Sequence, residues 1–146
     1  MMIRRILGVA IRMVPAGAIA GALTMIVACN PSTDGLPTIS AAQLTAAPKQ
    51  SRPLIVDVRT TAEFAAGHVP GAWNVPVDEV AARAEEIRDH AKGRDVVLYC
   101  QSGRRAGMAA DALKTRGVAQ LFHLDGDFAE WSRSGLPVER DAAVSP

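Results

Sequence analysis

Residues 100–105, Cys-Gln-Ser-Gly-Arg-Arg, put a thiol, a glycine and two guanidinium groups into six consecutive positions. They follow the β-branched run "DVVLY" and precede the helix-like run "AGMAADALKTRG". Gly103 permits a positive φ, so the loop can curl until successive backbone N–H groups converge. Those donors, with the positive end of the following helix, make a cradle for an anion. A sulfur held there has its thiolate favoured, and Arg104 and Arg105 add to the effect. The thiolate is the nucleophilic form, suited to attack on electrophilic sulfur or phosphorus. Arginine forks bind the oxyanions that such reactions carry. The blander reading makes Cys100 a small buried hydrophobe at a strand end, beside two surface arginines. Against it, arginines at a helix start oppose the macrodipole, which favours acids there. A visiting anion answers that misplaced charge.

The elements around this loop alternate. "PLIVDV", residues 53–58, is an apolar run closed by Asp57, as in a strand buried on both faces. "DVVLYC" and "AQLFHL" read as two further strands, and "GAWNVP" as a brief extended piece. "ISAAQLTAA" is a short helix candidate capped by Ser40, and "TTAEFAAGH" another, capped by Thr60 or Thr61 and ended by Gly67. "VDEVAARAEEIRDHAKG" reads as one helix with Val80, Ala84, Ile87 and Ala91 on a stripe. Glu85, Glu86 and Asp89 form its solvated face. The helix after the cysteine loop should turn Met108, Ala109, Ala112 and Leu113 inward, with Gly117 as its stop. "GDFAEWSRSGLP" closes the domain as a short helix. Apolar strands alternating with helices imply a mainly parallel sheet covered on both faces. In such sheets the binding crevice lies beyond the carboxyl ends of the strands. Cys100 and Asp57 both stand at that edge.

The 146 residues suit one domain, and 49% of them are apolar, enough for a core. A formal charge of +1 without a basic stripe excludes a nucleic-acid partner. The first 28 residues carry Arg4, Arg5 and Arg12, then an uncharged stretch from Met13 to Ala28. A positive start, a short apolar middle and small residues at the end describe an export signal. The stretch is short for a membrane span, which needs roughly 20 residues. Ile26-Val27-Ala28-Cys29 resembles the lipobox of bacterial lipoproteins, which implies lipidation of Cys29 and removal of residues 1–28. A plain signal peptide is the alternative, and the surroundings of Arg4-Arg5 match twin-arginine export poorly. Residues 29–37 would then be a tether, 38–140 the folded domain and 141–146 a tail. The expected location is the bacterial cell envelope, facing the periplasm on a lipid anchor. Asn30 in place of an Asp favours the outer membrane. The shortened chain holds 13 basic and 15 acidic residues, a formal −2. With Cys29 lipidated, Cys100 has no disulfide partner, and no cysteine cluster exists for a metal. No metal and no cofactor is therefore expected.

The cysteine loop also resembles the active-site loop of the rhodanese family, Cys-x-x-Gly-x-Arg, filled by Cys100, Gly103 and Arg105. "IVDVRTTAEFAAGHVPGAWNVP" resembles that family's first signature through Asp57, Arg59, Glu63, Phe64, Gly67, His68, Pro70, Gly71, Ala72, Asn74 and Pro76. "LDGDFAEWSRSGLPV" resembles its closing motif through Leu124, Gly126, Trp131, Gly135, Leu136 and Pro137. Asp127 departs from it, standing where a second Gly is usual, and the loop is expected to adjust without touching the chemistry. The resemblance implies a three-layer rhodanese-like fold, with a five-stranded mainly parallel sheet and helices on both faces. It also implies sulfane-sulfur transfer through a Cys100 persulfide, with thiosulfate as the type of donor and a thiol or thioredoxin-like protein as a possible acceptor. The amides of Gln101, Ser102 and Gly103 would hold the persulfide, and Arg105 with Arg104 would meet the donor's oxyanion. Asp57 and Arg59 would brace the loop. A related class uses Cys-x5-Arg to accept phosphate or arsenate; the shorter ring here, with Ala106 beyond it, disfavours that chemistry. An envelope sulfur carrier or docking module without turnover is the rival from a different class. His68 reads as turn architecture, His90 and His123 as helix-end and strand residues, and Trp73 and Trp131 as core.

Overall fold

A computed structural model of the protein describes residues 35–141. The export signal, the Cys29 lipidation site, most of the tether and the tail beyond Asp141 lie outside the described residues. Five strands, β1 (Thr38–Ile39), β2 (Leu54–Asp57), β3 (Trp73–Asn74), β4 (Val96–Tyr99) and β5 (Leu121–Leu124), form one sheet in the order β1-β5-β4-β2-β3. Every pairing is parallel. The central strands are the runs that read as apolar, because a strand covered on both faces has no solvent side on which to place polar residues. β1 and β3 are two residues each, too short for any periodicity to reveal.

Side chains of successive strand residues point to opposite faces, so the two layers divide by parity. Leu54 and Val56, with Val96, Leu98 and Cys100, pack on one side against α3 (Val77–Val80), α4 (Ala84–Ala91) and α5 (Arg104–Lys114). Ile55, Val97, Tyr99 and Leu124 pack on the other against Leu44 of α1 (Ala41–Ala46) and Trp131 of α6 (Asp127–Arg133). These two faces make the α/β three-layer arrangement that the rhodanese resemblance implies.

Capping places the short helices. Ser40 and Thr60 each close a capping box, with Gln43 at the start of α1 and Glu63 at the start of α2 (Thr61–Ala66). Two expectations need correction. The long helix is interrupted between Val80 and Ala84, where Arg83 adopts φ −101° and ψ 15°. Its guanidinium binds Glu79 and Glu86 and lies 4.9 Å from the centre of the Trp73 ring. The stripe survives the break: Val80, Ala84, Ile87 and Ala91 are all buried. In α5 the buried stripe is Ala106, Ala109, Ala110 and Leu113, and Met108 points outward with 54% of its surface exposed. Spacing of three and four residues from Leu113 selects those alanines and leaves position 108 off the face.

Candidate active site

β4 ends at Tyr99 and α5 begins at Arg104, so the loop between them is four residues long. Gly103 makes it possible: at φ 95° it occupies backbone space that a side chain resists, and it serves as N-cap without any side-chain bond. The turn brings the Gly103 N–H to 3.0 Å from the Cys100 sulfur. That donor stabilises negative charge on sulfur. Cys100 itself is buried, 1% exposed, and continues the apolar row of Val96 and Leu98. Gln101, Ser102 and Arg104 are exposed around it, while Arg105 is half-buried.

Arg105 has a partner that the sequence did not suggest. Its two terminal nitrogens donate to the Glu63 carboxylate at 2.7 and 2.8 Å, a bidentate pair linking α5 to α2. Glu63 also accepts from the Thr60 N–H and hydroxyl. With Arg105 as the main cause, its carboxyl is lowered from 4.5 to about 2. Arg105 in turn is raised above its ordinary range, chiefly by Glu63 and further by the nearby Cys100 sulfur. The charge that opposes the α5 macrodipole is thus balanced inside the molecule as well as being available to an anion. A guanidinium has five N–H donors. Glu63 takes two of Arg105's, which leaves three outside that pair. The capping signature Thr60-x-x-Glu63 was the sequence signal that fixed this carboxylate at the head of α2.

Asp57 and Arg59 lie at the end of β2, beside the cysteine loop. Arg59 clamps Asp57 with Nε at 3.0 Å and Nη2 at 2.6 Å, and Nη2 also donates to the Gly67 carbonyl at 2.7 Å. Both residues are buried. The Arg59 guanidinium lies 4.0 Å from the centre of the Phe128 ring. Phe128 donates its N–H to the Cys100 carbonyl at 3.1 Å, so the pair reaches the loop through one intervening residue. Tyr99, fully buried, accepts the Val69 N–H on its hydroxyl at 3.1 Å. Burial pushes its phenol far up, so it stays protonated.

Asp127 corrects an expectation. Its carboxylate accepts the backbone N–H of Cys100 at 2.8 Å and meets His123 Nε2 at 3.0 Å. The turn therefore contacts the cysteine loop directly instead of standing clear of it. His123, read as an ordinary strand residue, is half of a buried polar pair. His68 sits in the turn, stacked on Phe64 with its Nδ1 2.9 Å from the Phe64 carbonyl. His90 stacks on Trp73, and the Trp131 indole N–H donates to the Pro137 carbonyl. No group of three metal-ligating side chains occurs among the described residues.

A wholly parallel sheet, covered on both faces and carrying a thiol at the carboxyl end of its middle strand, is the frame of a cysteine-centred α/β domain. Residues 40–134 match the rhodanese-like domain, and the chain belongs to that family. A sulfurtransferase of Allochromatium vinosum is 41% identical over 85 residues, 58% of this chain and 77% of that protein. The structure of a human single-domain sulfurtransferase is 27% identical, with a TM-score of 0.55 over 68% of this chain and 97% of that one. A rhodanese-related protein of Thermoplasma volcanium, 24% identical, shares the fold with a TM-score of 0.60 over 70% of this chain and 97% of its own.

Proposed function

We propose that the protein is a sulfurtransferase that moves sulfane sulfur through a persulfide on Cys100. The observation that carries this reading is the Gly103 N–H on the Cys100 sulfur, with Arg105 alongside. In the loading step the Cys100 thiolate attacks the outer sulfur of thiosulfate or a similar small anion. A Cys–S bond to the new sulfur forms, the S–S bond of the donor breaks, and sulfite leaves with the electron pair. In the second step a thiolate or other thiophilic acceptor attacks the outer sulfur, and Cys100 returns as thiolate. Each step exchanges one S–S bond, or one bond to sulfur, for another, so no external oxidant or reductant is consumed. The loop amides of Gln101 and Ser102, with that of Gly103, hold the extra sulfur. Arg104 is exposed to attract the donor anion, and the free donors of Arg105 meet its oxygens. Asp57 and Arg59 stiffen the wall behind the loop.

The same reading makes the domain a cell-envelope lipoprotein anchored through Cys29, its acceptor a small thiol or a thioredoxin-like protein of that compartment. The test is intact-mass spectrometry on full-length protein extracted in detergent without reductant. After incubation with thiosulfate, Cys100 should gain about 32 Da, removed by cyanide with release of thiocyanate. Cys100→Ala should do neither. The same spectrum reports whether Cys29 is the acylated amino terminus. An unmodified Cys100 under these conditions would refute the transfer reading in favour of a docking module.

A further inference from the structure

Asp127 is 3% exposed and holds φ 53°, a backbone conformation that suits glycine and strains a residue with a side chain. The residue before it, Gly126, is at φ 72°, and a Cβ there would come within 2.3 Å of the Glu130 Cβ. The turn from β5 into α6 is thus shaped for two glycines and carries one. What the second position gains from a carboxylate is visible in its contacts. Oδ1 takes the Cys100 N–H at 2.8 Å and Oδ2 meets His123 Nε2 at 3.0 Å. Both side chains are almost wholly buried. The segment is also tied to the loop by main chain, Phe128 N–H to Cys100 carbonyl and Ala129 N–H to Gln101 carbonyl.

We infer that Asp127 is a positioning residue of the sulfur site: its carboxylate, backed by His123, clamps the Cys100 amide and sets a negative charge on the backbone of the residue that carries the sulfur. This rests on the reading of Cys100 as the sulfur carrier. The clamp fixes the peptide from which the loop departs, and it keeps that amide out of the anion cradle. The charge works against the loop's positive field. It makes the thiolate less favoured and, once formed, a stronger nucleophile, because nucleophilicity rises with basicity. The other charged groups around the site are Arg104 and Arg105 of α5, the Glu63 that holds Arg105 from α2, and the Asp57–Arg59 pair at the end of β2.

Two variants separate the clamp from the charge. Asp127→Asn keeps an oxygen for the Cys100 N–H and removes the charge. Asp127→Gly removes both, and glycine fits the φ, so the variant folds. The full-length protein is treated with iodoacetamide across mildly acidic to mildly alkaline pH, and alkylation is followed on the Cys100 peptide. The expected result is that both variants shift the alkylation profile to lower pH, by about one unit. The glycine variant alone should also load sulfur from thiosulfate more slowly, by about tenfold or more. An asparagine variant with the wild-type profile would overturn the charge, and a glycine variant that loads like wild type would overturn the clamp; either result defeats the inference. Alkylation needs no sulfur transfer, so a wild-type protein that never loads would remove the proposed function while the profiles still decide the role of Asp127.

Discussion

Glu63→Gln isolates the pair that joins α2 to α5. Glutamine keeps the shape and one oxygen for the Thr60 cap, so the substitution removes the charge and leaves the helix start in place. The magnitude follows from the carboxyl, lowered from 4.5 to about 2 with Arg105 as the chief cause. At ~1.4 kcal/mol per unit that gap is worth ~3 kcal/mol before screening. Both side chains are near one-third exposed, 30% for Arg105 and 35% for Glu63, so solvent reduces the figure to ~1 kcal/mol. The pH dependence has a definite sign. A carboxyl whose folded value is depressed contributes fully above its ordinary value of 4.5 and loses that contribution as pH falls towards about 2. Urea unfolding of wild type and Glu63→Gln should therefore differ by ~1 kcal/mol at neutral pH, and the difference should shrink steadily below pH 4.5. A gap that persists unchanged in acid, or that is missing at neutral pH, would refute the electrostatic account of this pair.

Removing Asp57 instead leaves the buried Arg59 without its counter-charge. Asp57→Ala should cost about 3–5 kcal/mol in urea unfolding, well beyond the exposed pair. The corrected face of α5 makes a paired prediction: Leu113→Ala should cost about 2–5 kcal/mol, whereas Met108→Gln should stay within about 0.5 kcal/mol by the same measurement. Equal losses at the two positions would reverse the orientation of that helix.

The parts of this protein that sequence reasoning reached are those governed by local rules. β2, β4 and β5 could be read because strands covered on both faces must be apolar throughout, and Cys100 could be read because it ends such a run before a glycine and a helix. β1 escaped because two residues carry no period, and β3 could be read only as a brief extended piece for the same reason. The break at Arg83 escaped because its stripe continues across it. Glu63 was recognised as a motif position, yet its bond to Arg105 spans 42 residues and exists only once β2 and β4 lie in register. The role of Asp127 was hidden for a similar reason. Its departure from glycine was visible, but the amide it serves belongs to the cysteine loop, 27 residues earlier.

That register has a consequence for how such a domain can vary. Asp57 pairs with Tyr99, so the chain leaves both strands on the same row and the heads of α2 and α5 stand side by side. The electrostatic surroundings of Cys100 are thereby written partly in a neighbouring connection, residues 58–60, that lies outside the cysteine loop. Lengthening or shortening that connection by one residue would slide Glu63 away from Arg105 and leave all of residues 100–105 unaltered. Two members with identical cysteine loops could then prefer donors of different charge, and a comparison confined to the loop would miss the cause.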